Sequence, residues 1–311
     1  MPRLSELLIS CSDITQTARF FEHSLGLDAA AIRNSPSPLP SCDYPIAREQ
    51  PVFSHADPDS KNWQPILHLV EFSTPGMPVR AGASSHDSCA KTVNFLCRDL
   101  PQVYEKLAAR GVVFRSRWVE YEKAGVSYCD VHAIGPDELN IGFLEIVDGQ
   151  YTVNQLGIGP IAAVCFTVPE MEPVDALVEG IGMPLVLDEH FAGPSMETML
   201  NLPVGASLHM RLYGAIEAWG RLEIVSYNGV TTSNLHRSTL PPGTGLLTAR
   251  IAVDDLDHSL RLLDQRESRG IVYSRGVRSG QVLGESARIA EVATDFGLSL
   301  ELIERPGHPG G

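Results

Sequence analysis

One pattern occurs four times in this chain and constrains the fold more than any other feature. A strand ends at an acidic residue, an amphipathic stretch follows, and the unit closes on a strand of alternating apolar residues. The opening acids are Asp13 in LLISCSDITQTARFFEHSLGL, Asp99 in VNFLCRDLPQVYEKLAARGV, Glu170 in CFTVPEMEPVDALVEGIGM and Asp255 in ARIAVDDLDHSLRLLDQRESRG. The closing strands are PILHLVEFSTPG, ELNIGFLEIVDG, GRLEIVSYNG and LSLELIER. In the last of these, a period of two places Leu298, Leu300 and Leu302 on one face and Ser299, Glu301 and Ile303 on the other. His68, Gly142 and Glu223 stand in register with Glu301 in the first three copies.

A repeat of this length dictates the architecture. Each unit reads as strand, helix, then three strands, and long and short units alternate, as a duplicated pair would. The expectation is an α+β fold of four βαβββ modules, paired into two cupped mixed sheets with helices outside. The linker DGQYTVNQLGIGP divides residues 1–150 from 151–311, two modules to each half.

Within the first module, Phe20, Phe21 and Leu25 recur at helical spacing and the helix stops at Gly26. Between Arg33 and Asn62 the pattern dissolves into Pro, Ser and Asp with no clear second strand, which suggests a lid or binding loop. In the second module, GVSYCDVHAIGPDE sets Tyr128, Asp130 and His132 on one strand face, either a solvated face or a cavity wall. In the third, SLHMRLY sets His209, Arg211 and Tyr213 opposite Leu208, Met210 and Leu212. RLEIVSY sets Glu223 opposite Leu222 and Ile224. His209, Arg211, Tyr213 and Glu223 on neighbouring strands suggest a polar, catalytic pocket; singly, each also fits a solvated sheet face.

The chain is 43% hydrophobic, has no apolar run of the ~18 residues a membrane span needs, and shows no basic-then-apolar leader pattern at its start. Its six cysteines lack CxxC spacing, as thiols of a reducing compartment do, so the cytoplasm is the expected location. A net charge of −14 argues against a nucleic-acid surface and leaves small molecules, and a possible homodimer, as the expected partners.

The repeat resembles the vicinal oxygen chelate superfamily, which includes glyoxalase I, methylmalonyl-CoA epimerase, extradiol dioxygenases and the bleomycin- and fosfomycin-resistance proteins. The resemblance rests on the Val-x-Asp strand end in ARIAVDD, with weaker echoes in LISCSD and FTVPE. The Leu-Gly-Leu of SLGL and the closing turn plus Leu-Glu-Leu complete it. It implies a divalent metal, Zn, Mn or Fe, held in a cup by residues of the first and last strands of paired modules. The corresponding positions are Glu6, Thr92, Ala163 and Thr248 on the first strands and His68, Gly142, Glu223 and Glu301 on the last. Ala163 and Thr248 stand where extradiol enzymes carry His, a departure from that pattern.

If neighbouring modules pair, each cup has two candidate ligands. If the first pairs with the fourth, Glu6, His68 and Glu301 converge as one metal site, and this exchanged pairing is the favoured one. His68 alone also fits a satisfied core histidine. The resemblance then implies glyoxalase-like lyase or isomerase chemistry on a small oxygenated substrate, with Arg211 and Arg250 available to hold a carboxylate. A dioxygenase and a metal-free binding protein, with Trp63, Trp118, Trp219, Tyr128 and Tyr213 as an aromatic cleft, are the alternatives.

Overall fold

A computed structural model of the chain describes residues 1–34, 44–54, 64–215, 219–265, 276–282 and 285–304. The first module comprises β1 (Arg3–Ser10), α1 (Ile14–Arg19), β2 (Asp28–Ala29), β3 (Arg33–Asn34), β4 (Ile46–Phe53) and β5 (Ile66–Phe72). The second comprises β6 (Ala90–Cys97), α2 (Leu100–Ala109), β7 (Val113–Phe114), β8 (Val119–Lys123), β9 (Val126–Ile134) and β10 (Asn140–Ile146). The third contains β11 (Ile158–Thr167), α3 (Glu172–Gly180), β12 (Leu185–Ala192), α4 (Pro194–Leu200), β13 (Ser207–Tyr213) and β14 (Arg221–Asn228). The fourth contains β15 (Gly245–Ala252), α5 (Leu256–Asp264), β16 (Arg278–Val282), β17 (Glu285–Ala293) and β18 (Ser299–Glu304).

The recurring acid has a physical reason. Asp13, Asp99 and Asp255 are helix N-caps: Asp13 accepts from the amides of Thr15 and Gln16, Asp99 from Gln102, and Asp255 from His258. Each satisfies amide groups that the first helical turn leaves without partners. Glu170 does not follow suit, since α3 is capped by Met171 without a side-chain bond. Module 1 ends its helix as expected at Gly26, at φ +67°, after a π-helical turn over Phe20–Ser24.

Two nine-stranded mixed sheets result. One runs β16-β17-β18-β15-β1-β5-β4-β2, with β3 on β4; the other runs β12-β13-β14-β11-β6-β10-β9-β7, with β8 on β9. In every module the first and last strands pair in parallel, and the modules join through antiparallel β1–β15 and β6–β11. Module 1 therefore shares a sheet with module 4 and module 2 with module 3, the exchanged pairing. The apolar faces of α1, α2, α3 and α5 merge with strand residues of both sheets into one core that includes Phe21, Leu107, Leu177 and Leu256.

Two elements differ from the sequence expectation. The region expected to lack a second strand contains β4, which pairs with β5 over its whole length; Pro51 and imperfect alternation mask it in the sequence. The lid reading concerns residues 35–43 and 55–62, which lie outside the described residues, as do Trp63 and most of the strand expected over IVYSRGV. The helix α4 between β12 and β13 is an addition. It packs against β8, and Ser195 Oγ donates to the Glu120 carbonyl at 2.9 Å, so it bridges module 3 to module 2.

Candidate functional site

Register places the residues of each cup. Glu6 lies opposite Arg250 on β15, Arg250 lies beside Glu301 on β18, Glu301 faces Glu291 on β17, and His68 lies beside Leu8 on β1. Paired residues share a sheet face, so all of these look into the cup of modules 1 and 4. Glu6, His68 and Glu301 do converge there, but around Arg250. The guanidinium donates from Nε to Glu301 Oε2 at 2.5 Å and from one terminal nitrogen to Glu6 Oε2 at 2.8 Å and to His68 Nδ1 at 2.7 Å. Arg250 and Glu301 are 1% and 0% exposed, so the cation and its carboxylates are sequestered together.

Burial opposes the charge of Arg250, but Glu301 and Glu6 outweigh it and raise its pKa further. An arginine has no lone pair to offer, so the bond to His68 fixes Nδ1 as the acceptor and Nε2–H as the donor to Glu49 Oε2, at 3.1 Å. That bond holds the Glu49 carboxyl below its ordinary range.

These residues do not fit the metal that the resemblance implies. The three candidate ligands spend one carboxylate oxygen each and the imidazole lone pair on a guanidinium. A divalent ion in the same place would bring a second and third positive charge against a cation that cannot deprotonate. Among the described residues no group of three His, Cys, Asp or Glu side chains is arranged to hold a metal ion. Glu301 Oε1 is buried without a hydrogen-bond partner, a single donor atom rather than a coordination set.

The cup of modules 2 and 3 is built differently. Of its four register positions, Thr92, Gly142 and Ala163 offer no metal-ligating group and Glu223 stands alone. The space at Gly142 is taken by Asn94: a Cβ at Gly142 would collide with Asn94 Oδ1, and Asn94 Nδ2 donates to Glu223 Oε2 at 3.0 Å. The cup encloses a cavity of about 210 Å³. Phe191, Met196, Met199, Leu208, Met210 and Leu212 form its apolar wall, and Lys91, Asp130, Glu223 and Tyr227 its polar one. The helix α4 supplies Met196, Met199 and Leu200 and so roofs the cavity.

Two carboxyls share this low-dielectric space. Burial, and then the neighbouring Glu223, push Asp130 up to about 7. Burial also raises Glu223, against the opposing pull of the Cys165 thiol, Lys91 and Asn94. The Tyr121 hydroxyl lies 3.5 Å from Asp130 Oδ2, and Lys91 Nζ donates to the Tyr227 hydroxyl at 2.5 Å. Burial opposes the charge on Lys91, yet Tyr227 and Cys165 leave its pKa raised. His132 is pushed well below its ordinary value, chiefly by burial and then by Lys91, Arg115 and Arg80, and so stays neutral.

The residues expected to form a catalytic group with Glu223 do not share its cup. Glu223 pairs across the sheet with Leu212, whereas Arg211 pairs with Ile224 and Tyr213 with Leu222. His209, Arg211 and Tyr213 therefore face the other way. The Tyr213 hydroxyl and Arg211 both bond Asp175 of α3, and Asp188 accepts from Arg211 at 3.0 Å and meets His209 at 2.5 Å. The face on β9 carrying Tyr128, Asp130 and His132, open in the sequence to two readings, is a cavity wall. Lys91, Asn94 and Tyr227 were not singled out by the pattern. A lysine inside the apolar strand AKTVNFLC is the signal that marks the first of them.

The paired-module architecture is shared with solved structures of glyoxalase I. Glyoxalase I from Zea mays superposes with a TM-score of 0.67 at 15% identity, over 98% of this chain and 92% of that one. A mutant of the same maize enzyme gives 0.68 at 16% identity over the same shares of each chain. A protein from Bacillus subtilis strain 168 assigned by name to the dioxygenases gives 0.57 at 13% identity, over 98% of this chain and 85% of that one. No protein-family model and no curated protein matches the sequence. At these identities the likeness establishes the fold, and the chemistry has to be argued from the cups.

Proposed function

We propose that the chain is an enzyme that moves a proton on a small organic substrate within the cup of modules 2 and 3, with Asp130 and Glu223 as its acid–base pair. The observation that carries this reading is the Asp130 carboxyl, half-buried in the wall of the cavity that Glu223 also lines and pushed up to about 7. Two interacting carboxyls of this kind titrate as a coupled pair. A general base works best with its pKa near the operating pH.

In the reaction we assign, the ionised member removes a proton from carbon next to a substrate carbonyl. The electron pair moves onto the carbonyl oxygen, and the pair returns a proton to a neighbouring atom. The sum is an isomerisation with no atom gained or lost. The charged Lys91, with Tyr227 on its ammonium group, supplies positive potential for the oxygen that becomes negative. Asn94 orients Glu223, and the roof of α4 keeps water from the carbanion. Lyase or isomerase chemistry in the glyoxalase-like sense thus moves from the metal-type residues of one cup to the carboxyl pair of the other.

The test is hydrogen–deuterium exchange, followed by NMR in buffered D₂O with chelator present, over a panel of small ketones and hydroxycarbonyl compounds. Wild type should exchange the proton next to the carbonyl of at least one compound, and D130N and E223Q should lose about 100-fold or more of that rate. Exchange no faster than in D130N for every compound would leave a binding cavity without chemistry. Activity abolished by chelator and restored by Zn²⁺ or Mn²⁺ would move the reaction back to a metal.

A further inference from the structure

A second cavity of about 560 Å³ adjoins the first and shares His132, Met199 and Leu200 with it. Its character is opposite to the overall charge of −14: Arg80 and Arg115 line it, and none of its lining residues is a carboxylate. Arg115 Nε donates to Asn140 Oδ1 at 2.6 Å, which aims the side chain. Among the described residues neither of its terminal nitrogens has a hydrogen-bond or ion-pair partner. Arg80, 8% exposed, spends its terminal nitrogens on Cys89 Sγ at 2.7 Å and the Ser84 carbonyl at 2.6 Å, with no carboxylate at ion-pair distance among the described residues. The charges of Arg80, Arg115 and Lys91 all act on His132 at the junction of the cavities, so they share one region. Glu138 acts on Arg115 from outside the lining.

Two guanidinium groups without carboxylate partners among the described residues, Arg80 buried and Arg115 at the exposed mouth, are the kind of donor set that an oxyanion head group takes. We propose that the substrate of the modules 2 and 3 cup is an amphipathic organic anion. Its carboxylate or phosphate head lies between Arg80 and Arg115, and its apolar body passes His132 into the chamber walled by Met199, Leu208 and Met210. This rests on the reading of that cup as the working site, and names the class of molecule it takes. The neutral His132 suits the junction of the two cavities, because it can donate one hydrogen bond without drawing the anionic head inward.

The experiment is a fluorescence titration, read from Trp219 in the chamber wall, with octanoate, octyl phosphate and 1-octanol as probes. In wild type at low salt at least one anion should bind on the order of tenfold or more tightly than the alcohol. R115M should remove most of that preference and leave 1-octanol affinity unchanged. R80M also loses the ties to Cys89 and Ser84, so the outcome is read from R115M, whose one side-chain bond among the described residues is to Asn140, with its circular dichroism as the check on folding. Octanoate and octyl phosphate separately report which head group is preferred. Equal affinity for anion and alcohol in wild type, or a preference that survives in R115M, overturns the proposal.

Failure here and failure of the proton-transfer reading are distinguishable. Anion preference with no deuterium exchange leaves the substrate class standing and removes the chemistry. Exchange that is as fast on neutral compounds as on anionic ones does the reverse.

Discussion

Arg250 and Glu301 lie side by side on parallel strands, Nε to Oε2 at 2.5 Å, at the positions where the sequence resemblance implied a metal. The protein carries a permanent cation there, attached by its own side chain. R250A removes the guanidinium that Glu6 and Glu301 share in the buried cup, at a cost of about 3–5 kcal/mol. It also returns to Glu6, His68 and Glu301 the donor atoms that the guanidinium occupies. We expect Zn²⁺ or Mn²⁺ to raise the melting temperature of R250A and to bind it at one equivalent per chain, and to do neither for wild type. Calorimetry with chelexed protein decides it; metal-independent melting of R250A would end the equivalence of guanidinium and metal.

The raised pKa of Asp130 has a signature in stability. Folded, this carboxyl titrates at about 7; its ordinary value is 3.8. Between those values the native state holds a proton that the unfolded chain has released, so stability falls as pH rises across that window and levels off above it. D130N removes this slope. Its stability relative to wild type should therefore grow from pH 4 to pH 7 by on the order of 3 kcal/mol. Urea melts at a series of pH values measure the gap, and parallel curves for the two proteins would show that Asp130 is not held protonated.

Gly142 is small because Asn94 is in its place. G142A drives a methyl group into Asn94 Oδ1 and should destabilise the fold by about 1–3 kcal/mol, while the displaced amide lets the pKa of Glu223 rise further. N94A in the same chain should recover part of that loss, giving a coupling energy between the two sites. Strict additivity in the double-mutant cycle would mean that Asn94 is not what fills the space.

His209 and Arg211 serve as the negative control. They face Asp175 and Asp188 on the side of the sheet away from the cavity. H209A should leave both deuterium exchange and octanoate affinity within about twofold of wild type and cost no more than about 1 kcal/mol, the range of a solvent-exposed pair. A tenfold loss of exchange in H209A would place chemistry on the face assigned here to structure.

The repeat was legible because each copy needs the same local solution. An aspartate at Asp13, Asp99 or Asp255 caps a helix wherever it occurs, and alternating leucines make a one-sided strand without reference to the rest of the chain. The faces of the strands were not legible in the same way. SLHMRLY shows two faces, and the polar one suggests the pocket, yet Leu208, Met210 and Leu212 line the cavity while His209 and Arg211 meet acids outside it. Alternation separates faces but does not say which is concave. The convergence of Glu6, His68 and Glu301 was foreseeable from register. That Arg250 sits among them was not, because an arginine on β15 fits a substrate clamp as well as a buried counter-ion until its distances to both carboxylates are known.

The pairing of the first module with the fourth also sets an order of events during synthesis. β6 and β11 can meet once residue 167 has left the ribosome, so the sheet of modules 2 and 3 can close early. β1 has no lasting neighbour from the other module until residues 245–252 emerge, and the buried carboxylate of Glu6 stays without Arg250 for the same interval. The first strand made is thus among the last to be completed, and a chain interrupted before Arg250 would present an unpaired β1 edge to chaperones and proteases.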